Sequence, residues 1–144
     1  MESILSNKVL LVPLGAWCVV QVLKVVVSSI RDRRLNFSQL ITTGGMPSSH
    51  AALVCALATA AAILYGLDSA VFGIAALFAL VVMSDATGVR KTVGIQSTML
   101  NRILDELFKG KTEFEERVRE IIGHTIFEVS SGAILGILLA LWWT

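Results

Sequence analysis

The chain has only two histidines, and each stands beside residues suited to phosphate chemistry. His50 closes the polar stretch GGMPSSH, and His124 lies four residues before Glu128. Four residues make about one helical turn, so the Glu128 carboxylate would lie beside the imidazole, where it can orient the ring and stabilise its cation. Two histidines that flank a phosphate can supply a nucleophile and a general acid.

The stretch before His50 has the composition of a helix start that binds an anion. Pro47 favours the first helical turn, and the free backbone N–H groups there attract a phosphate together with the helix dipole. Gly44 and Gly45 would permit close approach of the backbone to a ligand. The same stretch also fits a capped helix start that binds nothing.

Further ionisable residues occur in or beside apolar runs, where a charge is costly and therefore marks a candidate functional site. Lys24 and Arg31 are seven residues apart, so they share one face of a helix. Together with Arg90 they could neutralise the charges of a phosphate. Each has a simpler explanation: Lys24 could extend along its own stem to the membrane surface, Arg31 could set topology, and Asp85 with Arg90 could close a helix as an ion pair.

The elements that must position these residues are apolar helices. Of the 144 residues, 55% are hydrophobic and 16% are charged, and several apolar runs approach the roughly 20 residues that span a bilayer. We therefore predict an all-α integral membrane helical bundle, a single domain over residues 1–144, with about four transmembrane helices. The predicted spans are Val9–Ile30, Pro47–Gly66, Ala70–Val89 and Gly123–Trp143.

A polar insert separates the third and fourth spans. Its apolar residues recur at helical spacing over residues 99–108 and again over residues 114–122, with a break at residues 109–111. This pattern predicts two amphipathic helices that lie on the membrane or cap the spans. The charged residues of the second segment would form a solvated face.

Basic residues are distributed unevenly about the predicted membrane. Four spans place residues 31–46 and 90–122 on one side, and ten of the twelve Lys and Arg residues fall in these two segments. The positive-inside rule makes that side cytoplasmic, with both termini on the opposite side. The candidate phosphate site would thus face the cytoplasm.

Two further features concern helix packing. Cys18 and Cys55 each lie in an apolar run, which favours buried small side chains over a disulfide or a metal pair. Gly132 and Gly136 form a GxxxG pattern that permits close approach of a neighbouring helix. The pattern does not say whether that neighbour belongs to this chain or to another copy.

These motifs resemble those of the type 2 phosphatidic acid phosphatase (PAP2) superfamily, which also contains the vanadium-dependent haloperoxidases. Its first motif is Lys, six residues, then Arg-Pro; Lys24 and Arg31 keep the spacing, with Asp32 in place of proline. Its second motif, Pro-Ser-Gly-His, corresponds to PSSH at residues 47–50.

The third motif, Ser-Arg, five residues, His, three residues and Asp, is divided here. His124 and Glu128 keep the spacing of its second half, with Glu for Asp, but no Ser-Arg stands at the required distance upstream. The block DATGVR at residues 85–90 is typical of the short, divergent branch found in bacteria and plastids. By this resemblance Arg90 takes the role of the missing arginine.

The resemblance implies a role for each matching residue. His124 would attack phosphorus and form a phosphohistidine, Glu128 would orient it, and His50 would protonate the leaving oxygen and later activate water. The phosphate oxygens would be held by Lys24, Arg31, Arg90 and the backbone around Ser48 and Ser49. Supporting positions would be Gly44, Gly45, Pro47 and Asp85. The superfamily needs no metal or other cofactor.

The function expected from this resemblance is hydrolysis of a lipid phosphomonoester or diphosphate at the cytoplasmic face of a bacterial plasma membrane or a plastid membrane. Phosphatidate, phosphatidylglycerol phosphate and isoprenoid diphosphates are all compatible substrates. The partners would be the lipid phosphate and the membrane, and not nucleic acid. Four short spans leave much apolar surface uncovered, which is compatible with a homo-oligomer.

Two alternatives stay open on the sequence. In the first, Asp85, Glu128 and Asp105 bind Mg²⁺ together with the substrate phosphate, because that ion commonly takes one or two carboxylates. In the second, the protein is not an enzyme and binds anionic lipid or partner proteins through its cytoplasmic helices.

Overall fold

The computed structural model describes residues 6–33, 46–107 and 124–144, and every regular element in these ranges is a helix. Asn7, Ser48, Ser69 and Thr125 begin four of the helices as N-caps whose side-chain oxygens accept backbone N–H groups of the first turn. The five helices are α1 (Lys8–Asp32), α2 (Ser49–Tyr65), α3 (Ala70–Thr87), α4 (Val89–Leu107) and α5 (Ile126–Trp143).

The predicted all-α membrane bundle is confirmed. Three segments are long and apolar enough to cross a bilayer, and α2 is a shorter apolar helix of 17 residues, which is at the lower limit for a span. The three long segments are Lys8–Ile30, Ala70–Leu107 and Ile126–Trp143. Four apolar helices thus lie where the sequence predicted four spans.

Helix α2 occupies the middle of the bundle and packs against α1, α3 and α5. Its buried side chains are mostly alanine, and Ala56 and Ala60 form a core cluster with Ala16 of α1 and Ala140 of α5. The large apolar side chains lie mainly on the outside of the bundle. This arrangement suits a membrane protein, because lipid solvates large apolar groups while small residues let helix backbones approach closely.

The partner of the GxxxG pattern lies in the same chain. A Cβ atom added at Gly132 would contact the carbonyl oxygen of Ser48, and one added at Gly136 would lie 2.7 Å from the Cα atom of Ala52. Both contacts are with backbone atoms of the α2 start and first turn. The two glycines therefore bring α5 against α2 at the end of the bundle that carries the site.

The predicted third span continued to Val89, but α3 ends at Thr87. Gly88 closes α3 by donating its N–H to the Ser84 carbonyl over 2.9 Å, and α4 begins one residue later. Helix α4 includes most of the first predicted amphipathic segment. The second predicted amphipathic segment lies outside the described residues.

Candidate phosphate site

Chain direction alone brings the candidate residues to one end of the bundle. Helices α1 and α3 end there, whereas α2, α4 and α5 begin there. Lys24 therefore approaches from the α1 side, His50 from the first turn of α2, Arg90 from the start of α4 and His124 from the residues just before α5.

His124 is fixed at both its backbone and its side chain. Its backbone N–H donates to the carbonyl of Ala86, near the end of α3, over 3.2 Å. Its side chain is 3% exposed, and Nδ1 lies 3.4 Å from the Oε2 atom of Glu128. This distance permits ionic attraction, but Nδ1 has no well-aligned hydrogen-bond partner among the described residues. Because Nδ1 faces the carboxylate, Nε2 is the ring nitrogen left for a ligand.

The same carboxylate also caps α5. Glu128 Oε2 accepts the backbone N–H of Thr125 over 2.8 Å, and the Thr125 hydroxyl accepts the backbone N–H of Glu128 over 3.3 Å. This reciprocal capping box stabilises the start of α5. Sequence reasoning overlooked Thr125, although a Thr three residues before a Glu at the start of an apolar run is the signature of the motif. The cap holds the Glu128 side chain beside His124.

Ser48 joins the start of α2 to the first turn of α5. Its backbone N–H donates to the Glu128 carbonyl over 3.1 Å, and its hydroxyl accepts the Ala51 N–H over 3.4 Å as the N-cap of α2. The Ser48 N–H is therefore engaged within the protein. The N–H groups of Ser49 and His50 have no hydrogen-bond partner among the described residues, so they are the donors that this helix start offers to an anion.

His50 lies at the centre of the charged groups. It is within electrostatic range of Lys24, Asp85, Arg90 and His124, which come from three other helices and from the residue pair before α5. His124 is in turn within range of Lys24 and Arg90 as well as Glu128. The two histidines thus share one local environment with two cations.

Lys24 is buried in the membrane-spanning part of α1, with 3% of its surface exposed. Its ammonium group is within electrostatic range of the Glu128 carboxylate. A lysine that merely extended to the membrane surface would leave its ammonium group in water, so burial argues against that simpler explanation. Arg31 belongs to the same uninterrupted helix, two turns further along, and its side chain lies outside the described residues. Gly44 and Gly45 also lie outside them.

Asp85 and Arg90 form an ion pair, as one of the two roles that the sequence allowed for Arg90 requires. Arg90 Nε lies 2.8 Å from Asp85 Oδ2, and both side chains are about one-third exposed. The pair bridges the break between α3 and α4. Only Nε of the guanidinium is used in this contact, so its two NH₂ groups could still bind phosphate oxygens while Asp85 holds Arg90 in place.

Burial sets the protonation state of His124. Loss of solvation lowers the pKa of the imidazole below its ordinary value, and electrostatic attraction to the neighbouring carboxylate of Glu128 opposes this shift. Because burial is the larger effect, His124 is neutral at pH 7. A neutral imidazole has the free lone pair that a nucleophile needs.

The described residues contain no metal-binding cluster. In residues 6–33, 46–107 and 124–144, no three His, Cys, Asp or Glu side chains lie close enough together to hold a metal ion. The carboxylates of Asp85 and Glu128 make the ion pair and the capping box described above. Cys18 is exposed and Cys55 is buried, and both are free thiols.

Comparison with known proteins agrees with the motifs. A family model described as the Divergent PAP2 family matches residues 5–139. The chain belongs to this family. It is also 40% identical to the uncharacterized membrane protein YuiD of Bacillus subtilis (strain 168), over an alignment that covers 96% of this chain and 95% of the relative. No solved structure is significantly similar to the chain.

In this Divergent PAP2 protein, the fold thus gathers most of the predicted site residues at one end of the bundle. The residues that share this environment are Lys24, His50, Asp85, Arg90, His124 and Glu128. Pro47, Ser48 and Ser49 form the adjoining start of α2, where all three are buried. Two connections could not be read from motif spacing: the Ser48–Glu128 hydrogen bond and the contact of Gly132 with Ser48.

Proposed function

We propose that this protein is a lipid phosphatase that hydrolyses a phosphomonoester or diphosphate of a membrane lipid through a phosphohistidine intermediate. The observation that carries the proposal is the convergence of both histidines of the chain with Lys24 and Arg90 at one end of an apolar bundle. A buried neutral histidine beside a carboxylate, a second histidine, and cations for the phosphate are the groups that such a reaction needs.

The first step is transfer of the phosphoryl group to the protein. Nε2 of neutral His124 attacks phosphorus, and the bond between phosphorus and the lipid oxygen breaks. His50, in its protonated form, gives its proton to that oxygen, so the lipid leaves as an alcohol, or as a monophosphate if the substrate is a diphosphate. Glu128 stabilises the positive charge that develops on the His124 ring.

The second step releases phosphate and restores the starting state. Water attacks the phosphorus of the phosphohistidine while neutral His50 takes a proton from it, and the bond between Nε2 and phosphorus breaks. His124 is then neutral again and His50 is protonated again. Lys24, Arg31, Arg90 and the N–H groups at the start of α2 stabilise the charge on the phosphoryl oxygens in both steps.

The site would face the cytoplasm or the plastid stroma. Among the described residues, Arg33, Arg90, Lys91 and Arg102 lie toward the site end or in α4, whereas Lys8 lies at the opposite end, where its Nζ donates to the Thr144 carbonyl over 3.2 Å. The positive-inside rule therefore supports a cytoplasmic orientation of the site. A lipid could then keep its hydrocarbon chain in the bilayer while its phosphate meets the cations.

The direct test is phosphate release by the purified protein in lipid vesicles. The panel contains phosphatidate, phosphatidylglycerol phosphate and an isoprenoid diphosphate, each assayed alone, with vanadate and with a metal chelator. We expect release from at least one lipid, inhibition by vanadate and no effect of the chelator. Activity that disappears with the chelator would favour the Mg²⁺ mechanism instead, and no release from any lipid would favour the non-catalytic alternative.

The charge of Glu128 can be tested apart from its capping role. In Glu128→Gln, the side-chain oxygen can still accept the Thr125 N–H, so α5 keeps its cap while the negative charge is lost. Because Glu128 raises the pKa of His124, its loss lowers that pKa further and the neutral nucleophile persists to lower pH. The acid limb of the pH profile of kcat/KM therefore shifts to lower pH. The rate at pH 7 falls by about a hundredfold, because the positive charge that develops on the His124 ring is no longer stabilised.

Thr125→Ala is the matched control. It removes the hydroxyl half of the capping box but leaves the carboxylate beside His124. We expect a loss of about 1 kcal/mol in the free energy of unfolding and an acid limb at the wild-type position. An acid limb that stays unmoved in Glu128→Gln would contradict the role assigned to the carboxylate.

A further inference from the structure

A groove opens on the outer surface of the bundle between α3 and α5. Its volume is about 280 Å³. The α3 wall is a stripe at helical spacing that includes Leu80 and Met83, and the α5 wall includes Ile126 and Val129. Both walls belong to segments long and apolar enough to cross a bilayer, so the groove faces lipid rather than water.

The groove ends at the histidine site. Its lining residue Thr87 directly follows Ala86, whose carbonyl accepts the His124 N–H. On the other wall, Val129 directly follows Glu128, whose carboxylate lies beside the His124 ring. A molecule in the groove would therefore have one end next to the proposed nucleophile.

The polar residues of the groove lie on both walls. Ser84 and Ser130 line it, and their side-chain hydroxyls have no hydrogen-bond partner among the described residues. Because α3 ends at the site, Leu80 and Met83 lie farther from the histidine along the α3 wall than Ser84 does. The α3 wall thus changes from apolar to polar toward the site, whereas on the α5 wall Ile126 lies nearest the site and Ser130 lies farther from it.

The size of the groove limits its occupant. A helix with its side chains is about 10–12 Å across, so a groove of about 280 Å³ that is open to the outside of the bundle would take only one side of it. A hydrocarbon chain is much thinner and is the apolar molecule that surrounds the bundle in a bilayer. The order of side chains along the α3 wall matches a lipid that has a chain at one end and oxygen-bearing groups at the other.

We infer that this groove binds the first part of the hydrocarbon chain of the lipid phosphate, so that the phosphate is presented to His124 from the bilayer. The inference rests on the proposed function and adds the position of the substrate chain to it. It makes the protein selective for long-chain lipid phosphates over water-soluble ones. Contacts remote from the reacting atoms raise a rate by holding those atoms in position. Binding of the chain in the groove would position the reacting phosphate in this way.

Activity of a matched pair of variants tests the groove. Leu80 lines it, whereas its neighbour Val81 is exposed to a similar degree and points about 100° away around the helix. In phosphatidylcholine vesicles, Leu80→Trp should lower the ratio of kcat/KM for dioleoyl phosphatidate to that for dibutyryl phosphatidate by about tenfold or more. Val81→Trp should leave this ratio at the wild-type value. Equal ratios in the two variants would overturn the inference.

Photolabelling separates the groove from the catalytic proposal. Wild-type protein is illuminated in phosphatidylcholine vesicles that contain phosphatidate with a diazirine in one acyl chain, and the labelled peptides are identified. We expect label within residues 80–87 and 126–130 that excess unlabelled phosphatidate removes and excess phosphatidylcholine does not. This result without any phosphate release would keep the groove as a lipid-chain site and reject the enzyme. Label spread evenly around the bundle, with no competition, would reject the groove even if phosphate is released.

Discussion

Replacing His124 with alanine is expected to abolish phosphate release, with a loss of about 10⁴-fold or more. Loss of a nucleophile leaves only binding and electrostatic stabilisation, because the other histidine of the proposed site, His50, is assigned to proton transfer. His124 is the buried histidine whose ring lies beside a carboxylate, and its Nε2 atom is the one left for the phosphate. The measurement is initial phosphate release from the lipid that wild-type protein hydrolyses best.

His50→Ala should behave differently, because this histidine is proposed to transfer protons and not to form the covalent bond. With a lipid alcohol as the leaving group, transfer needs the proton from His50 and the rate falls by about 10²- to 10⁴-fold. With a phosphate leaving group, which departs without that proton, the first step should continue while the second step is slow. We therefore expect phosphoprotein to accumulate in His50→Ala when an isoprenoid diphosphate is the substrate.

The intermediate itself distinguishes the two histidines. A terminal phosphate labelled with ³²P should give acid-labile, base-stable radioactivity on His50→Ala and none on His124→Ala. His124→Gln serves as a second variant, since it fills more of the buried space and shows whether the loss in His124→Ala comes from a cavity. Equal activity in wild type, His50→Ala and His124→Ala would falsify the phosphohistidine mechanism.

The apolar helices could be predicted from sequence because the bilayer fixes their length and composition. Helices α1, α2, α3 and α5 begin and end within about three residues of the predicted spans. The site residues could be proposed because ionisable groups in apolar runs are rare. Lys24 is the clearest case: its sequence position left open whether it extends to the membrane surface, and the structure buries it in α1.

The connections within the site could not be predicted, because they depend on tertiary packing and not on spacing along the chain. The sequence suggested that the N–H groups around Ser48 bind phosphate, but the Ser48 N–H donates to a carbonyl 80 residues away. It also left the partner of Gly132 undecided, since a GxxxG pattern specifies a close approach but not the identity of the approaching helix. These two contacts join α2 to α5 and so set the separation of His50 from His124.

The close contact of Gly132 with Ser48 makes Gly132→Ala the second substitution with a large expected effect. A Cβ atom at this position would lie against the carbonyl oxygen of Ser48, and 3.0 Å from its carbonyl carbon. Backbone atoms cannot rotate aside as side chains do, so α5 must move away from α2. The Ser48–Glu128 hydrogen bond of 3.1 Å would then lengthen, and the two histidines would move apart.

A displacement of this kind affects rate more than stability. Overpacking in a close contact costs about 1–3 kcal/mol, whereas misplacing reacting groups by about 1 Å can cost a hundredfold in rate. We expect Gly132→Ala to lower the free energy of unfolding in detergent by about 1–3 kcal/mol and to lower phosphate release by about a hundredfold. Unfolding is followed by tryptophan fluorescence and phosphate release in vesicles at equal amounts of folded protein.

Two other glycines supply the controls that separate geometry from stability. Gly73 of α3 has nothing within 4 Å of an added Cβ, so Gly73→Ala should stabilise the helix by up to about 1 kcal/mol and leave the rate unchanged. Gly136→Ala meets the backbone of Ala52 one turn further from the site, so it should destabilise the protein about as much as Gly132→Ala with a smaller loss of rate. If both variants lost the same fraction of activity, Gly132 would serve only to stabilise the bundle. A greater loss in Gly132→Ala would mean that its close contact with Ser48 sets the geometry of the two histidines.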